Sequence, residues 1–307
     1  MKRNIYNFTI LSLLLLCLVC ILTHPKEIME SGMFSLEIWK KNIFPSLFPF
    51  FILSDLLIYF GFAKTLGNFL SYPVKKLFHL RSICAFVLVM SLFSGFPSSA
   101  KYIATMYKEK KITLKEANHL IKFTHFSNPL FIMGTVFSLL QDKKICFFIL
   151  ISHYIANIIL GILYREKIEK NESFLLKKET RTFLNVFKSS IDQTISTLTY
   201  ILGTITIFLV LSTILFTYIQ IDDFSKCILR GMLEITQGIK YVSLLSISKY
   251  LKGLIITGFL SFGGLCIHIQ VLGIIKEIQI KYSRYLLSRI LHVFFACILY
   301  SVFSLLC

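Results

Sequence analysis

Long apolar runs with almost no charged residues constrain this chain more than any other feature. Several of them reach the roughly 20 residues with which a helix crosses a bilayer. The runs cover residues 4–25, 42–63, 82–100, 123–141, 145–164, 193–221, 253–275 and 290–307. Hydrophobic residues make up 55% of the chain, and the mean hydropathy is +0.73. Because helices satisfy their own backbone hydrogen bonds in lipid, the sequence predicts an all-α polytopic membrane protein.

The net charge of +17 lies mainly in the segments between these runs. Basic residues in such places suit anionic lipid headgroups and set the topology, so we expect membrane lipid as a partner and no nucleic acid. Segments 64–81 and 101–122 mix apolar and basic residues, which is typical of helices that lie on the headgroups. Segment 165–190 is the longest polar stretch and predicts a basic cytoplasmic connector.

These segments divide the chain into four predicted parts. An N-terminal transmembrane helix with an extracytoplasmic connector (1–41) is followed by a first half (42–164), the basic connector (165–190) and a second half (191–307). The first run is followed by "LTHPKEI", which lacks a small-x-small cleavage site. We therefore expect an uncleaved transmembrane helix at this end of the chain.

The run 82–100 ends in "SGFPSSA", in which Gly and Pro interrupt a segment of membrane length. If this run crossed completely, segment 101–122 and its six lysines would lie outside, against the positive-inside rule. The sequence therefore predicts a re-entrant hairpin here. The run 253–275, with five glycines, is open to two interpretations, a second hairpin or a crossing. Six or seven transmembrane helices plus one or two re-entrant hairpins are expected in total.

The order of the parts repeats along the chain. The interrupted run with "SGFP" in the first half has a counterpart with "SFGG" in the second half. An odd number of crossings between them makes the two halves inverted. Inverted repeats with interrupted segments form the midplane site of many transporters, so we predict a solute site where the two interrupted segments meet.

Polar and helix-breaking residues inside or beside the runs are the candidates for binding a solute. They are Ser94, Gly95, Pro97, Ser98, Ser99, Asn128, Pro129, Glu234, Gln237, Gly263, Gly264, His268 and Gln270. Proline breaks the helical ladder and glycine permits positive φ, and the freed backbone must then be satisfied by protein or by a polar ligand. The structural alternatives are a kinked, tightly packed helix at "SGFP", a capped helix start at "SNPLF" and a hydrogen-bonded histidine at position 268.

Asp55 lies near the middle of the apolar run 42–63. A carboxylate at such depth is costly and indicates a polar interior or an ion path. The alternative is a protonated carboxyl that is hydrogen-bonded between helices. Lys101, directly after the interrupted run, is the first partner that we expect for it.

No arrangement of residues typical of an enzyme occurs in the sequence. There is no GxSxG, HExxH, P-loop or glycine fingerprint, and Cys266 and His268 are too few for a metal site. We expect no catalytic residues, no metal and no cofactor, and cysteines that remain reduced in apolar surroundings.

Five stretches in a fixed order carry a resemblance to a known family. They are "LFPFFILSDLL", "SGFPSSAK", "SNPLFIMGTV", "LEITQG" and "SFGGLCIHIQVL". With them the chain resembles the sporulation integral membrane protein YlbJ family. That family belongs to the wider nucleoside-recognition, or Gate, domain group, which is related to the concentrative nucleoside transporters.

This resemblance implies both a fold and a biological setting. It implies transporter-like Gate domains, endospore-forming bacteria, a membrane of the developing spore compartment and a role in heat-resistant spores. We therefore expect a transporter- or channel-like protein that handles a small polar solute or ion and is not an enzyme. The alternative is a non-transporting membrane organiser that recruits sporulation proteins. The oligomeric state is open and includes a homo-oligomer.

Overall fold

The structure, a computed structural model, describes residues 2–166 and 182–306, and every regular element in this part is helical. The helices are α1 (Lys2–Thr23), α2 (Pro25–Ile38), α3 (Phe44–Tyr59), α4 (Phe62–Phe69), α5 (Ser71–Phe78), α6 (Ala85–Ser94), α7 (Ser98–Lys108), α8 (Leu114–Phe123), α9 (Phe137–Leu140), α10 (Lys143–Leu163), α11 (Phe183–Tyr218), α12 (Asp223–Leu233), α13 (Ile235–Leu244), α14 (Lys249–Phe262), α15 (Gly264–Ile274) and α16 (Tyr282–Leu306). Short π-helical turns precede α3 (Trp39–Ile43) and α9 (Phe131–Val136), and a 3₁₀ turn (Ser82–Cys84) precedes α6. The predicted all-α class is confirmed.

Five helical stretches of the described chain are long and apolar enough to cross a membrane. They are Pro25–Tyr59, Lys143–Leu163, Phe183–Tyr218, Lys249–Ile274 and Tyr282–Leu306. The pair α5 and Ser82–Ser94 is bent by 98° and would make a sixth if it counted as one broken span. The long helices carry exposed leucine, isoleucine and phenylalanine side chains on their outer faces, as lipid contact requires.

Two predicted connectors differ from the structure. Residues 26–41, predicted as an extracytoplasmic connector, are helical and continue through a π turn into α3. The reason is that Pro25 suits the first turn of a helix and no further proline follows it before α3. Of the predicted connector 165–190, residues 167–181 lie outside the described residues, and the part from Phe183 onwards belongs to α11.

Helices α6 and α7 form the hairpin that the sequence predicts within 82–100. The rings of Phe86 and Tyr102 lie 6.1 Å apart, and the Tyr102 hydroxyl donates to Ser94 Oγ at 3.0 Å. Sixteen residues of straight helix would span about 24 Å, so α7 runs back along α6. The return arm extends to Lys108, and the buried helix α8 follows it. The sequence suggested one interfacial helix over segment 101–122, but the structure divides this segment between α7 and the buried helix α8.

The second hairpin is formed by α12 and α13, with Glu234 at its turn. The guanidinium of Arg230 lies 3.8 Å from the centre of the Tyr241 ring, and Cys227 Sγ lies 3.7 Å from Gly238 O. Both pairs are eleven residues apart in sequence, and a straight helix of that length would span about 16 Å, so the chain folds back at the turn and α13 packs against α12. This hairpin lies outside the run 253–275, which the sequence left open between a hairpin and a crossing. There α14 and α15 continue as one stretch of membrane length.

The repeat thus has a different alignment from the one that the sequence suggests. Each half contains a helical hairpin, then an interrupted helix, then a long helix, α10 in the first half and α16 in the second. The first interrupted helix loses its helical form at residues 124–128, between α8 and the turn before α9, and the second is interrupted at Gly263. Pairing "SGFP" with "SFGG" was wrong, because "SGFP" is a hairpin turn whereas "SFGG" is a helix interruption. The counterpart of "SGFP" is the hairpin turn in "LEITQG", and the counterpart of "SFGG" is the helix interruption at "SNPLF".

Candidate functional site

Two hairpin turns and two helix interruptions meet in the centre of the molecule. We call residues 94–97 the first tip, residues 233–235 the second tip, residues 124–128 the first break and residues 263–264 the second break. Both tips and the first break line a cavity of about 460 Å³, which is within the range of small-molecule sites.

The first tip lies directly on the first break. The Phe96 N–H donates to Phe126 O at 2.7 Å, and the peptide bond between Phe96 and Pro97 is cis. Gly95 has φ +74°, and a β-carbon at this position would lie 2.5 Å from Asn128 N. The tip therefore needs glycine for its backbone conformation and for its close contact with the break.

Side chains from α10 satisfy the backbone that the first break leaves without helical partners. The Ser127 N–H donates to His153 Nε2 at 2.9 Å, and Asn157 Nδ2 donates to His125 O at 2.7 Å. The Tyr154 hydroxyl lies 3.0 Å from Ser127 O and is placed to donate to it. Because unsatisfied backbone groups are costly in an apolar interior, these three side chains hold the extended segment in place.

At the second tip, the Glu234 side chain caps the N-terminus of α13. Its carboxylate accepts hydrogen bonds from Thr236 N at 3.1 Å and from Gln237 N at 2.8 Å. Gln237 in turn accepts a hydrogen bond from Ser212 Oγ of α11 at 2.7 Å. An N-terminal carboxylate also benefits from the helix dipole, so one residue both turns the chain and places a negative charge at the tip.

The second break repeats the relationship between tip and break. Gly263 has φ +92° and ends α14, and a β-carbon at Gly264 would lie 3.3 Å from Leu233 O of the second tip. His268 Nε2 lies 2.9 Å from Phe262 O and is placed to donate to it. The role of His268 is therefore to satisfy the break, in agreement with the structural alternative raised above.

The cavity brings together five of the residues that the sequence singled out. Ser94, Pro97, Asn128, Glu234 and Gln270 line it. Glu234 is the one carboxylate among the described lining residues and has no ion-pair partner in the described part of the chain. The cavity thus offers the Glu234 carboxylate, the amides of Asn42, Asn128 and Gln270, the ammonium group of Lys41 and hydroxyl groups within an otherwise apolar wall.

The other candidate residues lie near the cavity without lining it. They are Gly95, Ser98, Ser99, Pro129, Gln237, Gly263, Gly264 and His268. The glycines provide backbone conformation and close packing, Gln237 binds α11, and the side chains of Ser98 and Ser99 are buried in α7. None of these residues is placed to contact a molecule in the cavity as the structure stands.

Asp55 and Lys101 form an ion pair behind the first tip. Lys101 Nζ lies 2.7 Å from Asp55 Oδ2 and 3.3 Å from Thr194 Oγ1, and it lies over the ring of Phe51. The Ser190 hydroxyl also donates to the carboxylate at 3.3 Å. This is the partner that the sequence favoured for Asp55, and the pair joins the return arm of the hairpin to α3 and α11.

Sequence reasoning missed a cluster of buried basic and aromatic residues on the far side of the first break. His125, His153, His292 and Arg289 are at most 2% exposed, and the rings of His153 and His292 lie 4.6 Å apart. A signal was available, because histidine or arginine within or beside a membrane-length apolar run is a candidate for a functional interior position. The four residues lie on three separate segments, so their convergence needs the tertiary structure.

The described residues contain no group of three or more His, Cys, Asp or Glu side chains that could hold a metal ion. The polar groups of the site are arranged instead as hydrogen-bond donors and acceptors around a cavity. This chemistry suits binding of a polar molecule.

Comparisons with known proteins agree with this geometry. The Gate family, described as nucleoside recognition, matches residues 41–156, which include the first tip and the first break. The sporulation integral membrane protein YlbJ of Bacillus subtilis (strain 168) is 30% identical, in an alignment that covers 96% of this chain and 82% of the relative. No solved structure matches. With this identity over nearly the whole chain, together with the Gate match, the protein belongs to the family of the sporulation integral membrane protein YlbJ.

Proposed function

We propose that this sporulation membrane protein is transporter- or channel-like and binds a small polar solute or ion in its central cavity. The observation that carries the proposal is that both tips and the first break line one cavity, while the second break packs against the second tip. Inverted repeats whose interrupted helices converge in this way are a recurrent design of transporter sites. We place the protein in a membrane of the developing spore compartment, where transport of the solute would serve the formation of heat-resistant spores.

The chemistry of the cavity narrows the kind of solute. Glu234 has no cation partner among the described residues, whereas the carboxylate of Asp55 is engaged by Lys101. Glu234 is therefore the better candidate to balance a positive charge or to accept hydrogen bonds from the solute. Asn128 and Gln270 add amide groups that both donate and accept. Because the matched family is described as nucleoside recognition, nucleosides are the first solutes to test.

The test is a comparison of small molecules and ions in spores with and without the gene. Spores that lack the protein, or that carry Glu234→Ala or Gln270→Ala at normal protein levels, should show the same altered solute and reduced heat resistance. Glu277→Ala, an equivalent change at an exposed position, should behave as the wild type. Unchanged solute content in the deletion strain would overturn transport.

The same experiment separates transport from a role as a membrane organiser. An organiser would tolerate substitutions in the cavity and would instead be sensitive to changes in the basic segment 165–190. Loss of heat resistance from that segment alone, with the cavity variants fully active, would therefore favour the organiser.

A further inference from the structure

We propose that His153 is a proton-binding site and that the proton is a coupling ion of this protein. Protonation of His153 removes the acceptor that holds the Ser127 N–H, so the backbone of the first break can move away from α10. The coupling role rests on the proposed transport function. The site itself is inferred from hydrogen-bond geometry and can be tested without knowledge of the solute.

The hydrogen bonds of His153 fix its protonation state in the observed arrangement. The Ser127 backbone N–H, which can only donate, points at His153 Nε2 over 2.9 Å. Nε2 must therefore carry no proton. The proton of the neutral ring lies on Nδ1, which donates to Ser261 Oγ at 3.2 Å.

This one imidazole joins the two interrupted helices. Ser127 belongs to the first break, and Ser261 lies in the last turn of α14, two residues before Gly263. The ring of His125 reinforces the junction, since it stacks on Phe96 of the first tip at 4.6 Å and lies against Gly263. A change at His153 therefore acts on segments from both halves at once.

A protonated His153 is incompatible with this arrangement. Both ring nitrogens would then be donors, and Nε2–H would face the Ser127 N–H across 2.9 Å. A buried donor that loses its acceptor is destabilised by about 1–3 kcal/mol, so the backbone at Ser127 must move away. Proton binding and the observed arrangement of the first break exclude each other, which is the thermodynamic requirement for coupling.

The groups around His153 support such a switch. From α16, His292 Nε2–H donates to His153 O at 3.0 Å, while Arg289 donates to His292 Nδ1 at 3.2 Å. From the first break, the His125 ring lies 6.3 Å from that of His292, and its Nε2 has no hydrogen-bond partner. Arg289 forms no ion pair among the described residues. A second positive charge on His153 would therefore repel that of Arg289, which adds to the tendency of the cluster to open.

The experiment measures access to the cavity as a function of pH. In the full-length protein reconstituted in liposomes, with Cys266 of the cavity wall as the sole cysteine, the rate of maleimide modification is followed between pH 8 and pH 5. The His153→Gln variant is the reference at each pH, since its amide can accept from Ser127 and donate to Ser261 without titrating. Its rate also corrects for the intrinsic pH dependence of the thiol.

We compare the rate of maleimide modification of Cys266 in the protein with His153 to the rate in the His153→Gln variant. The ratio of these two rates should rise at least about fivefold from pH 8 to pH 5, as protonation opens the first break. His119→Gln is the matched control, because His119 is also buried but binds Gly161 O outside this cluster. It should retain the full pH response. A ratio that stays constant with pH would overturn the proton site and would leave the solute cavity untouched.

A second measurement needs no substitution at His153. Hydrogen exchange of residues 124–128 in the wild-type protein, corrected for intrinsic exchange rates, should show lower protection at pH 5 than at pH 8. Equal protection at both values would contradict the proposal even if the glutamine variant failed to fold.

Discussion

Lys101 Nζ and Asp55 Oδ2 lie 2.7 Å apart, and the two side chains are only 5% and 8% exposed. The pair connects the return arm of the first hairpin to α3, and hydroxyl groups of α11 add one hydrogen bond to each of the two charges. An apolar interior makes each charge dependent on the other. The pair therefore fixes the position of the hairpin, whereas Glu234 remains available to a molecule in the cavity.

Removal of either partner of this pair should destabilise the protein strongly. Asp55→Asn or Lys101→Met should each lower the free energy of unfolding by about 3–5 kcal/mol, because a buried charge is left without its counter-charge. The double variant should be much less destabilised than the sum of the two single variants. Thermal unfolding of the purified protein in detergent measures this cycle.

The exposed pair Glu37 and Lys41, four residues apart on one helix with a 3.7 Å separation, provides the control cycle. Its coupling should be below about 0.5 kcal/mol. Additive effects at Asp55 and Lys101 would show that the two charges do not stabilise each other.

The first tip should not tolerate a side chain at Gly95. Its backbone (φ +74°, ψ −174°) is open essentially to glycine alone, and a β-carbon would lie 2.5 Å from Asn128 N. Gly95→Ala should therefore lower the free energy of unfolding by at least about 1–3 kcal/mol and reduce spore heat resistance. Gly203→Ala, at a helical glycine with open space around it, should be neutral or slightly stabilising. Equal unfolding temperatures for the two variants would contradict the tight contact between tip and break.

The first tip could be recognised from the sequence, whereas the second tip could not. The first tip uses Gly95 and Pro97, whose backbone restrictions are recognisable in any sequence. The second tip uses Glu234, whose side chain caps the next helix and needs neither glycine nor proline. The hairpin of α12 and α13 was therefore missed, and its role was assigned to the glycines at 263–264.

The convergence of the buried histidines could not be predicted for a different reason. His125, His153 and His292 lie on three segments that are far apart in the chain, and each alone is more often an ordinary buried histidine. What gives them a role is that His153 satisfies the backbone of an extended segment, and that segment is visible only in three dimensions. The run pattern predicts which segments are membrane-embedded, whereas the contacts between them depend on packing that has no local signal.

Outside the membrane-spanning helices, Arg81 and Glu116 should make stability depend on pH. Burial raises the pKa of the Glu116 carboxyl, but hydrogen bonds from Arg81 and from Thr113 N outweigh it, so the pKa lies below the ordinary value of 4.5. A lowered pKa in the folded state stabilises the protein above the unfolded-state pKa, and this contribution is lost as pH falls through the folded-state value.

Glu116→Gln should therefore lower the free energy of unfolding by about 2 kcal/mol at pH 7. The difference from the wild type should become smaller as pH falls below about 4.5, when the native carboxyl is protonated as well. Thermal unfolding at several pH values measures both effects. A difference that is independent of pH would mean that the charge of Glu116 contributes nothing.

Arg289 should determine whether the first break keeps its shape. Its guanidinium is completely buried and donates to the carbonyl of Lys122 in the last turn of α8, directly before the break, and to His292 Nδ1. A cation at a helix C-terminus is favourable. Arg289→Met fills a similar volume but leaves both acceptors without a donor, at about 1–3 kcal/mol each.

We therefore expect the Arg289→Met protein to show faster hydrogen exchange at residues 122–128 and a lower unfolding temperature. Arg284→Met, an exposed arginine five residues earlier on the same helix, is the matched control and should change neither quantity. Because the effect is transmitted through the end of α8, exchange in the hairpin of α12 and α13, which Arg289 does not contact through a hydrogen bond within the described chain, should remain as in the wild type. Uniformly faster exchange across the protein would show that Arg289 serves general stability rather than the position of the break.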